Sequence, residues 1–93
     1  MSKLLIVIPT YNEKENIEAI IAAVLGLSKE YNILVVDDGS PDGTADIVKS
    51  LMTQYDNRLF ILERGKKLGL GTAYIAGFYY ALERDYEFVM EMD

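Results

Sequence analysis

The sequence of 93 residues contains no cysteine and no histidine. Without cysteine it has neither a disulfide framework nor a thiolate metal site, which fits an intracellular protein. Without histidine it lacks the usual general base and the commonest transition-metal ligand. Acid–base chemistry and cation binding are therefore left to carboxylates, which favour hard cations such as Mg2+ or Mn2+.

Long hydrophobic runs are missing as well. The longest apolar run, residues 4–9, is far shorter than the roughly 20 residues that span a bilayer, and its flanks do not match a signal peptide. The net charge of −6 argues against a nucleic-acid partner, although Arg64, Lys66 and Lys67 form a small basic cluster. With 51% hydrophobic and 26% charged residues, the composition is that of one small soluble domain.

Four short apolar runs recur at nearly even spacing, and helical periodicity fills the intervals between them. The runs cover residues 4–8, 33–36, 59–62 and 88–90. The helical stripes are Ile17, Ile20, Ile21, Val24 and Leu25; Ile47, Val48, Leu51, Met52 and Tyr55; and Ile75, Ala76, Tyr79 and Leu82. The first three runs are continuous, as is typical of strands that are covered on both faces.

Strand–helix units of about 30 residues indicate right-handed βαβ crossovers. We therefore predict an α/β fold, a parallel Rossmann-like sheet with helices on both faces. The expected helix caps are Asn12 or Thr10, Ser40 with Pro41 or Asp42, and Gly71 with Thr72. Ligands of such sheets bind beyond the carboxyl ends of the strands, so candidate sites should directly follow the apolar runs.

Two polar segments follow the first two runs. After the first, Glu13 and Asn16 stand at a helix start, either as a simple capped entry or as part of a binding site. After the second come the adjacent carboxylates Asp37 and Asp38. One of them is explained by capping of the following turn. The alternative for the pair is recognition of a nucleoside, because a carboxylate can accept hydrogen bonds from a base N–H or from a ribose hydroxyl group.

The segment after the third run, "ERGKKLGLGTAYIAGF", is glycine-rich and basic. It is either a phosphate cradle or a flexible loop in which Gly77 permits close helix packing; it matches neither the dinucleotide fingerprint nor the P-loop. After the fourth run the sequence reaches Asp93, which would be a fourth acidic residue at the carboxyl ends of the strands. An anionic diphosphate could approach these acids if a divalent cation were bound between them. We expect residues 1–93 to be the N-terminal part of a longer protein.

Three motifs, "PTYNE", "VVDDGSPDGT" and "KKLGLGTAYIAGF", occur in the order and spacing of a known family. Together they resemble family 2 glycosyltransferases with the GT-A fold, and most closely the dolichol-phosphate (polyprenol-phosphate) mannosyltransferases. The first two motifs are general to the family, and the third is typical of the polyprenyl-phosphate branch. The resemblance implies that residues 1–93 are the nucleotide-sugar-binding portion of a glycosyltransferase domain that is incomplete at its C-terminus.

The implied activity is transfer of mannose from GDP-mannose to a polyprenyl or dolichyl phosphate, with inversion and with Mg2+ or Mn2+, in the cytoplasm or at the cytoplasmic face of a membrane. Carried over by position, the nucleotide-binding residues are Pro9, Tyr11, Glu13, Val36 and Asp38, with Asp37 as a supporting neighbour. Asp93 matches the first acid of the Asp-x-Asp metal motif. No catalytic residue is assigned within residues 1–93. Half of a metal motif should not hold the cation well, so we expect this chain alone to be inactive.

Two alternatives stay open. The first is another family 2 glycosyltransferase that uses a UDP-sugar, and the second is a stand-alone nucleotide-binding module without catalysis. A membrane surface or a membrane-anchor subunit is a further expected partner, since the acceptor is a lipid. The basic cluster of Arg64, Lys66 and Lys67 either meets an acceptor phosphate or anionic lipid, or belongs to a solvated loop, and the loop is the simpler interpretation.

Overall fold

A computed structural model describes residues 4–66 and 69–92, which alternate between strands and helices. The elements in chain order are β1 (Leu4–Thr10), α1 (Ile17–Leu25), β2 (Tyr31–Asp37), α2 (Thr44–Met52), β3 (Leu59–Glu63), α3 (Leu70–Glu83) and β4 (Phe88–Glu91). The four strands form one parallel sheet in the order β3-β2-β1-β4. The predicted α/β fold with a parallel sheet is therefore confirmed.

The core consists of two apolar layers, one on each face of the sheet. Alternation along the strands sends Ile6 and Ile33 to the face covered by α1 and α2, and Val7 and Leu34 to the face covered by α3. All four side chains are buried because β1 and β2 are the central strands. This burial on both faces explains the continuous apolar runs, and it confirms the prediction of helices on both faces.

Helix α3 approaches the sheet through small residues. Ala73, Gly77 and Ala81, spaced four residues apart, are buried on one side of the helix. A Cβ atom added at Gly77 would lie 2.5 and 2.7 Å from the two methyl carbons of Val7. The helix backbone therefore packs directly onto β1, as the predicted packing role of Gly77 requires.

The apolar stripe predicted for α3 is not the buried face of the helix, so this prediction was wrong. Ile75, Tyr79 and Leu82 are 55, 65 and 70% exposed, and Ala76 is half-buried. The larger side chains point away from the sheet because only small residues fit beneath the closely packed helix. Although this helix has an apolar outer face, no helix in residues 4–66 and 69–92 is both long and hydrophobic enough to cross a bilayer.

The helix starts also differ from the expected caps. The N-cap residues are Asn16, Gly43 and Gly69, and none of them makes a side-chain capping bond. Of the residues expected to cap, Asp42 comes nearest to that role, since it accepts a hydrogen bond from the Thr44 amide at 3.0 Å. Thr10 and Ser40 instead donate their hydroxyl groups to Asp37, as described below.

Candidate active site

The carboxyl ends of three strands meet at one edge of the sheet. Thr10 at the end of β1 is paired with Asp37 at the end of β2, and Asp37 is paired with Glu63 at the end of β3. The segments that follow these strands therefore leave the sheet side by side. Each predicted site residue of β1, β2 and their loops lies at or near this edge, where parallel α/β sheets bind ligands.

Asp37 is a buried anchor between β1 and the loop after β2. Its side chain accepts hydrogen bonds from the hydroxyl groups of Thr10 at 2.7 Å and Ser40 at 2.6 Å, and from the Ser40 amide at 3.0 Å. The residue is 1% exposed. A buried carboxylate with three donors stabilises the local structure, so the supporting role expected for Asp37 has a physical basis.

Asp38 has a different partner. Its Oδ1 and Oδ2 accept hydrogen bonds from Nε and Nη2 of Arg64 at 2.6 and 2.8 Å, which forms a bidentate ion pair. The two side chains are 9 and 10% exposed. The interpretation of Arg64 as part of a solvated loop was therefore wrong, because its guanidinium lies over the end of the sheet and neutralises an acid there.

Strand alternation explains why adjacent carboxylates have separate surroundings. The amide of Asp38 still donates to the Thr10 carbonyl at 3.1 Å, so the extended backbone continues one residue past β2. Successive side chains then point to opposite faces. Asp37 joins the side of α1 and α2, where Ser40 lies, and Asp38 joins the side of α3, where Arg64 contacts Thr72.

The loop after β1 is shaped by side chains of the loop after β2. Three consecutive amides donate to it: Asn12 to Ser40 Oγ at 2.9 Å, Glu13 to Thr44 Oγ1 at 3.0 Å and Lys14 to Asp42 Oδ2 at 3.1 Å. Asn12 has a positive φ of 58°, which asparagine tolerates better than most residues. The "PTYNE" and "DDGSPDGT" motifs thus form one hydrogen-bonded unit.

Asp42 holds its place in this unit as an anion. The hydrogen bond from the Thr44 hydroxyl lowers the pKa of Asp42 from its usual 3.8, and the amides of Lys14 and Thr44 lower the pKa further. Burial raises the pKa, but less than the Thr44 hydroxyl lowers it. The charged form is favoured because all of these partners donate to the carboxylate.

The loops after β2 and β3 meet at two glycines. Gly39 has a φ of +77°, and a Cβ atom there would lie 2.9 Å from the carbonyl carbon and oxygen of Gly65. A side chain at residue 39 would be strained by both the backbone angle and the neighbouring chain. Lys67 and Leu68 lie outside the described residues, so the predicted phosphate cradle in this segment remains a prediction.

The remaining predicted nucleotide-binding residues differ in exposure. Tyr11 is 40% exposed, Pro9 and Glu13 are half-buried, and the Val36 side chain is fully buried in the core on the α3 side. The structure therefore places an aromatic ring and a carboxylate close to the Asp37–Asp38 edge. The side chain of Val36 packs within the protein.

The predicted metal ligand, Asp93, lies outside the described residues. Among residues 4–66 and 69–92 there is no group of three or more acidic side chains arranged to hold a metal ion. Ligand sets for Mg2+ or Mn2+ usually combine several carboxylates or supplement one with substrate phosphates. The described residues therefore do not form a cation site by themselves.

The sequence placed Arg64 in a basic cluster but did not predict its pairing with Asp38. Arg64 is separated from Asp38 by 26 residues, so no local pattern connects the two. The register of β2 and β3, with Asp37 opposite Glu63, is the signal that could have revealed it, since the residues that follow are then neighbours.

Comparison with known proteins identifies the family of the chain. The family model for Glycosyl transferase family 2 matches residues 5–93. A polyprenol monophosphomannose synthase of Mycolicibacterium smegmatis is 45% identical over 91 residues, and an undecaprenyl-phosphate mannosyltransferase of Micrococcus luteus is 44% identical over 91 residues. Both matches cover 98% of this chain but only 34 and 37% of the relatives, so the chain spans about a third of their length.

A solved structure gives the same result at the level of the fold. The mannosyltransferase PcManGT from Pyrobaculum calidifontis, in complex with GDP-Man and Mn2+, is 26% identical with a TM-score of 0.77. The match covers 85% of this chain and 24% of that one. The expected GT-A type of parallel α/β fold and the resemblance stated from the motifs are both confirmed. The chain belongs to glycosyl transferase family 2.

Proposed function

We propose that the full-length protein transfers mannose from GDP-mannose to a polyprenyl phosphate such as dolichyl phosphate. The observation that carries the proposal is the identity of 45 and 44%, over 98% of this chain, to relatives named for polyprenol and undecaprenyl phosphate mannosylation. The match to a mannosyltransferase in complex with GDP-Man supports the choice of donor.

Residues 1–93 then form the N-terminal nucleotide-sugar-binding portion of the enzyme. Asp38 accepts hydrogen bonds from the nucleoside, and the exposed ring of Tyr11 packs beside the base. Pro9 and Glu13 complete the surroundings of the nucleotide, and Val36 supports this edge from the core. Support comes from the sheet edge itself, since the segments after β1 and β2 are bound to each other and end on the same rim.

The reaction is a single displacement at the anomeric carbon. An oxygen of the acceptor phosphate forms the new bond to that carbon from the face opposite GDP. The bond from the anomeric carbon to the diphosphate oxygen breaks, and its electron pair leaves with GDP. This geometry inverts the configuration of the sugar, and it requires the donor to be held by its nucleotide while both faces of the anomeric carbon remain accessible.

A divalent cation, Mg2+ or Mn2+, supplies charge stabilisation to the departing diphosphate when it is bound. The Mn2+ in the PcManGT complex supports this choice. We assign Asp93 as one ligand, and residues 4–66 and 69–92 contain no group of three or more acidic side chains that could hold the cation by themselves. We further propose that the protein works at the cytoplasmic face of a membrane, on the bilayer surface or with a membrane-anchor subunit, because its acceptor is a lipid.

The test is a transfer assay with the full-length protein, undecaprenyl phosphate in detergent, and either Mg2+ or Mn2+. GDP-mannose is compared with UDP-glucose and UDP-N-acetylglucosamine as donors, and the product is identified by mass spectrometry. We expect mannosyl phosphoryl undecaprenol of inverted anomeric configuration by NMR, and no product when EDTA is present. Transfer from a UDP-sugar in preference to GDP-mannose would show the alternative family 2 activity and contradict the proposal.

A further inference from the structure

Arg64 binds Asp38 in a geometry that fixes the plane of the carboxylate. Two nitrogens of one guanidinium bind the two oxygens of Asp38, at 2.6 and 2.8 Å. A bidentate pair of this kind restricts both rotation and tilt of the acid, whereas a lysine would supply a point charge. Both side chains are about nine-tenths buried, so water weakens the pair little.

The guanidinium is itself held by the start of α3. Arg64 Nη1 donates to Thr72 Oγ1 at 2.9 Å, and Nη2 donates to the Gly69 carbonyl at 3.2 Å. Thr72 in turn donates to the same carbonyl at 2.9 Å. The main chain adds a further restraint, because the Arg64 amide donates to the Asp37 carbonyl at 2.9 Å. Asp38 is thereby connected to the glycine-rich segment after β3.

We propose that Arg64 is a positioning residue that presents the Asp38 carboxylate to the nucleoside of the donor. The proposal rests on the proposed function, since it needs Asp38 to contact a nucleoside. A carboxylate has more than two acceptor positions, so pairing with Arg64 is compatible with hydrogen bonds to a ligand. Fixing the acid before binding reduces the ordering cost that binding would otherwise incur.

Arg64 also changes the electrostatics of the edge. Asp37 and Asp38 together would place two negative charges where a nucleoside diphosphate must approach. The guanidinium offsets the charge of Asp38 without occupying the side of Asp37, whose donors are neutral hydroxyl and amide groups. Nucleotide capture should therefore depend on the geometry of Arg64 as well as on its charge.

The experiment measures calorimetric affinities for guanosine and for GDP in the full-length protein and in four variants. These are Arg64→Lys, Arg64→Met, Asp38→Asn, and Asp38→Asn combined with Arg64→Met. Lys49→Met is the matched control, because Lys49 forms an exposed ion pair with Glu63, the residue next to Arg64, and lies away from Asp38. Circular dichroism and thermal melts establish which variants are folded, and Arg64→Lys supplies the result if Arg64→Met does not fold.

If Arg64 positions Asp38, its substitution should lower the affinity for guanosine and for GDP equally. Arg64→Met should weaken the binding of guanosine and of GDP by the same factor. We expect about tenfold, which corresponds to the loss of one charge-assisted hydrogen bond. Arg64→Lys should restore only part of the affinity, and Lys49→Met should bind like the unsubstituted protein. In the Asp38→Asn background, the further change Arg64→Met should alter affinity by less than about twofold, because its effect acts through Asp38.

Three results would overturn the positioning role alone while the unsubstituted protein binds GDP. The first is unchanged affinity in a folded Arg64 variant. The second is a loss of affinity for GDP but not for guanosine, which would indicate direct contact between Arg64 and phosphate. The third is full additivity of the affinity losses caused by Arg64→Met and Asp38→Asn. Failure of the unsubstituted full-length protein to bind guanosine or GDP would overturn the proposed function, and the positioning role with it.

Discussion

The carboxylates of Asp37 and Asp38 are adjacent in sequence but serve opposite sides of the sheet. Asp37 binds the hydroxyl groups of Thr10 and Ser40, and Asp38 binds Arg64. The pair therefore does not act as a dyad of like charges. Asp37 connects the end of β1 with the loop after β2. Asp38 is held on the α3 side of the sheet edge, where we place the nucleoside.

Substitution of Asp37 should cost stability. Asp37→Asn leaves one acceptor oxygen where three donors now bind, so we expect the free energy of unfolding to fall by about 1–3 kcal/mol in urea denaturation. Asp56→Asn makes the same chemical change at an exposed turn and should stay within about 0.5 kcal/mol of the unsubstituted protein. Equal destabilisation by the two changes would show that Asp37 is not an anchor.

Two glycines of α3 should respond in opposite ways to alanine. Gly77→Ala forces a methyl group against Val7 and should lower the free energy of unfolding by about 1–3 kcal/mol. Gly71→Ala meets no atom of the described residues within 4 Å and should raise the free energy of unfolding by roughly 0.5 kcal/mol through helix propensity.

The same measurement has an internal check. In a Val7→Ala background the space beside residue 77 is enlarged, so Gly77→Ala should cost clearly less there than in the unsubstituted protein. If the cost is the same in both backgrounds, contact with Val7 is not its cause.

Acid should weaken the unit formed by the loops after β1 and β2. The pKa of Asp42 is lower in the folded protein than its usual 3.8, so its stabilising contribution is complete above that value. The contribution is lost as pH falls through the lower folded pKa, where the carboxylate becomes protonated and accepts fewer hydrogen bonds. NMR titration of the Asp42 carboxyl carbon measures this directly.

A variant at residue 44 tests the cause. Thr44→Val removes the hydroxyl that lowers the pKa of Asp42 most, so the titration should move back toward 3.8, while Thr44→Ser should keep the lower value. An unchanged titration in folded Thr44→Val would assign the shift to another group.

The strands and the rim were predictable from sequence because they follow from local chemistry. Continuous apolar runs indicate strands covered on both faces, and polar residues directly after them fall at the carboxyl edge. The face of α3 was not predictable in this way, since hydrophobicity favoured Ile75, Tyr79 and Leu82 whereas close packing required Ala73, Gly77 and Ala81. Composition alone does not show how near a helix lies to its sheet.

The pairing of Asp38 with Arg64 depends on information of another kind. It arises from strand register between β2 and β3, which brings together residues that are distant in the chain. The cap expected at Ser40 failed for a related reason, because its hydroxyl group donates to Asp37 and accepts from the Asn12 main-chain amide instead of binding its own helix. Local propensity favours caps, but the tertiary arrangement supplied other partners.

We assign the contact with the nucleoside of GDP to Asp38 and not to Asp37. The most direct test is calorimetric titration of GDP and UDP into the full-length protein and into folded Asp37→Asn and Asp38→Asn variants, with Mg2+ or Mn2+ present. We predict preference for GDP over UDP, loss of about tenfold or more in GDP affinity for Asp38→Asn, and near-normal affinity for Asp37→Asn. Unchanged GDP binding by Asp38→Asn, or equal losses in both variants, would contradict the account.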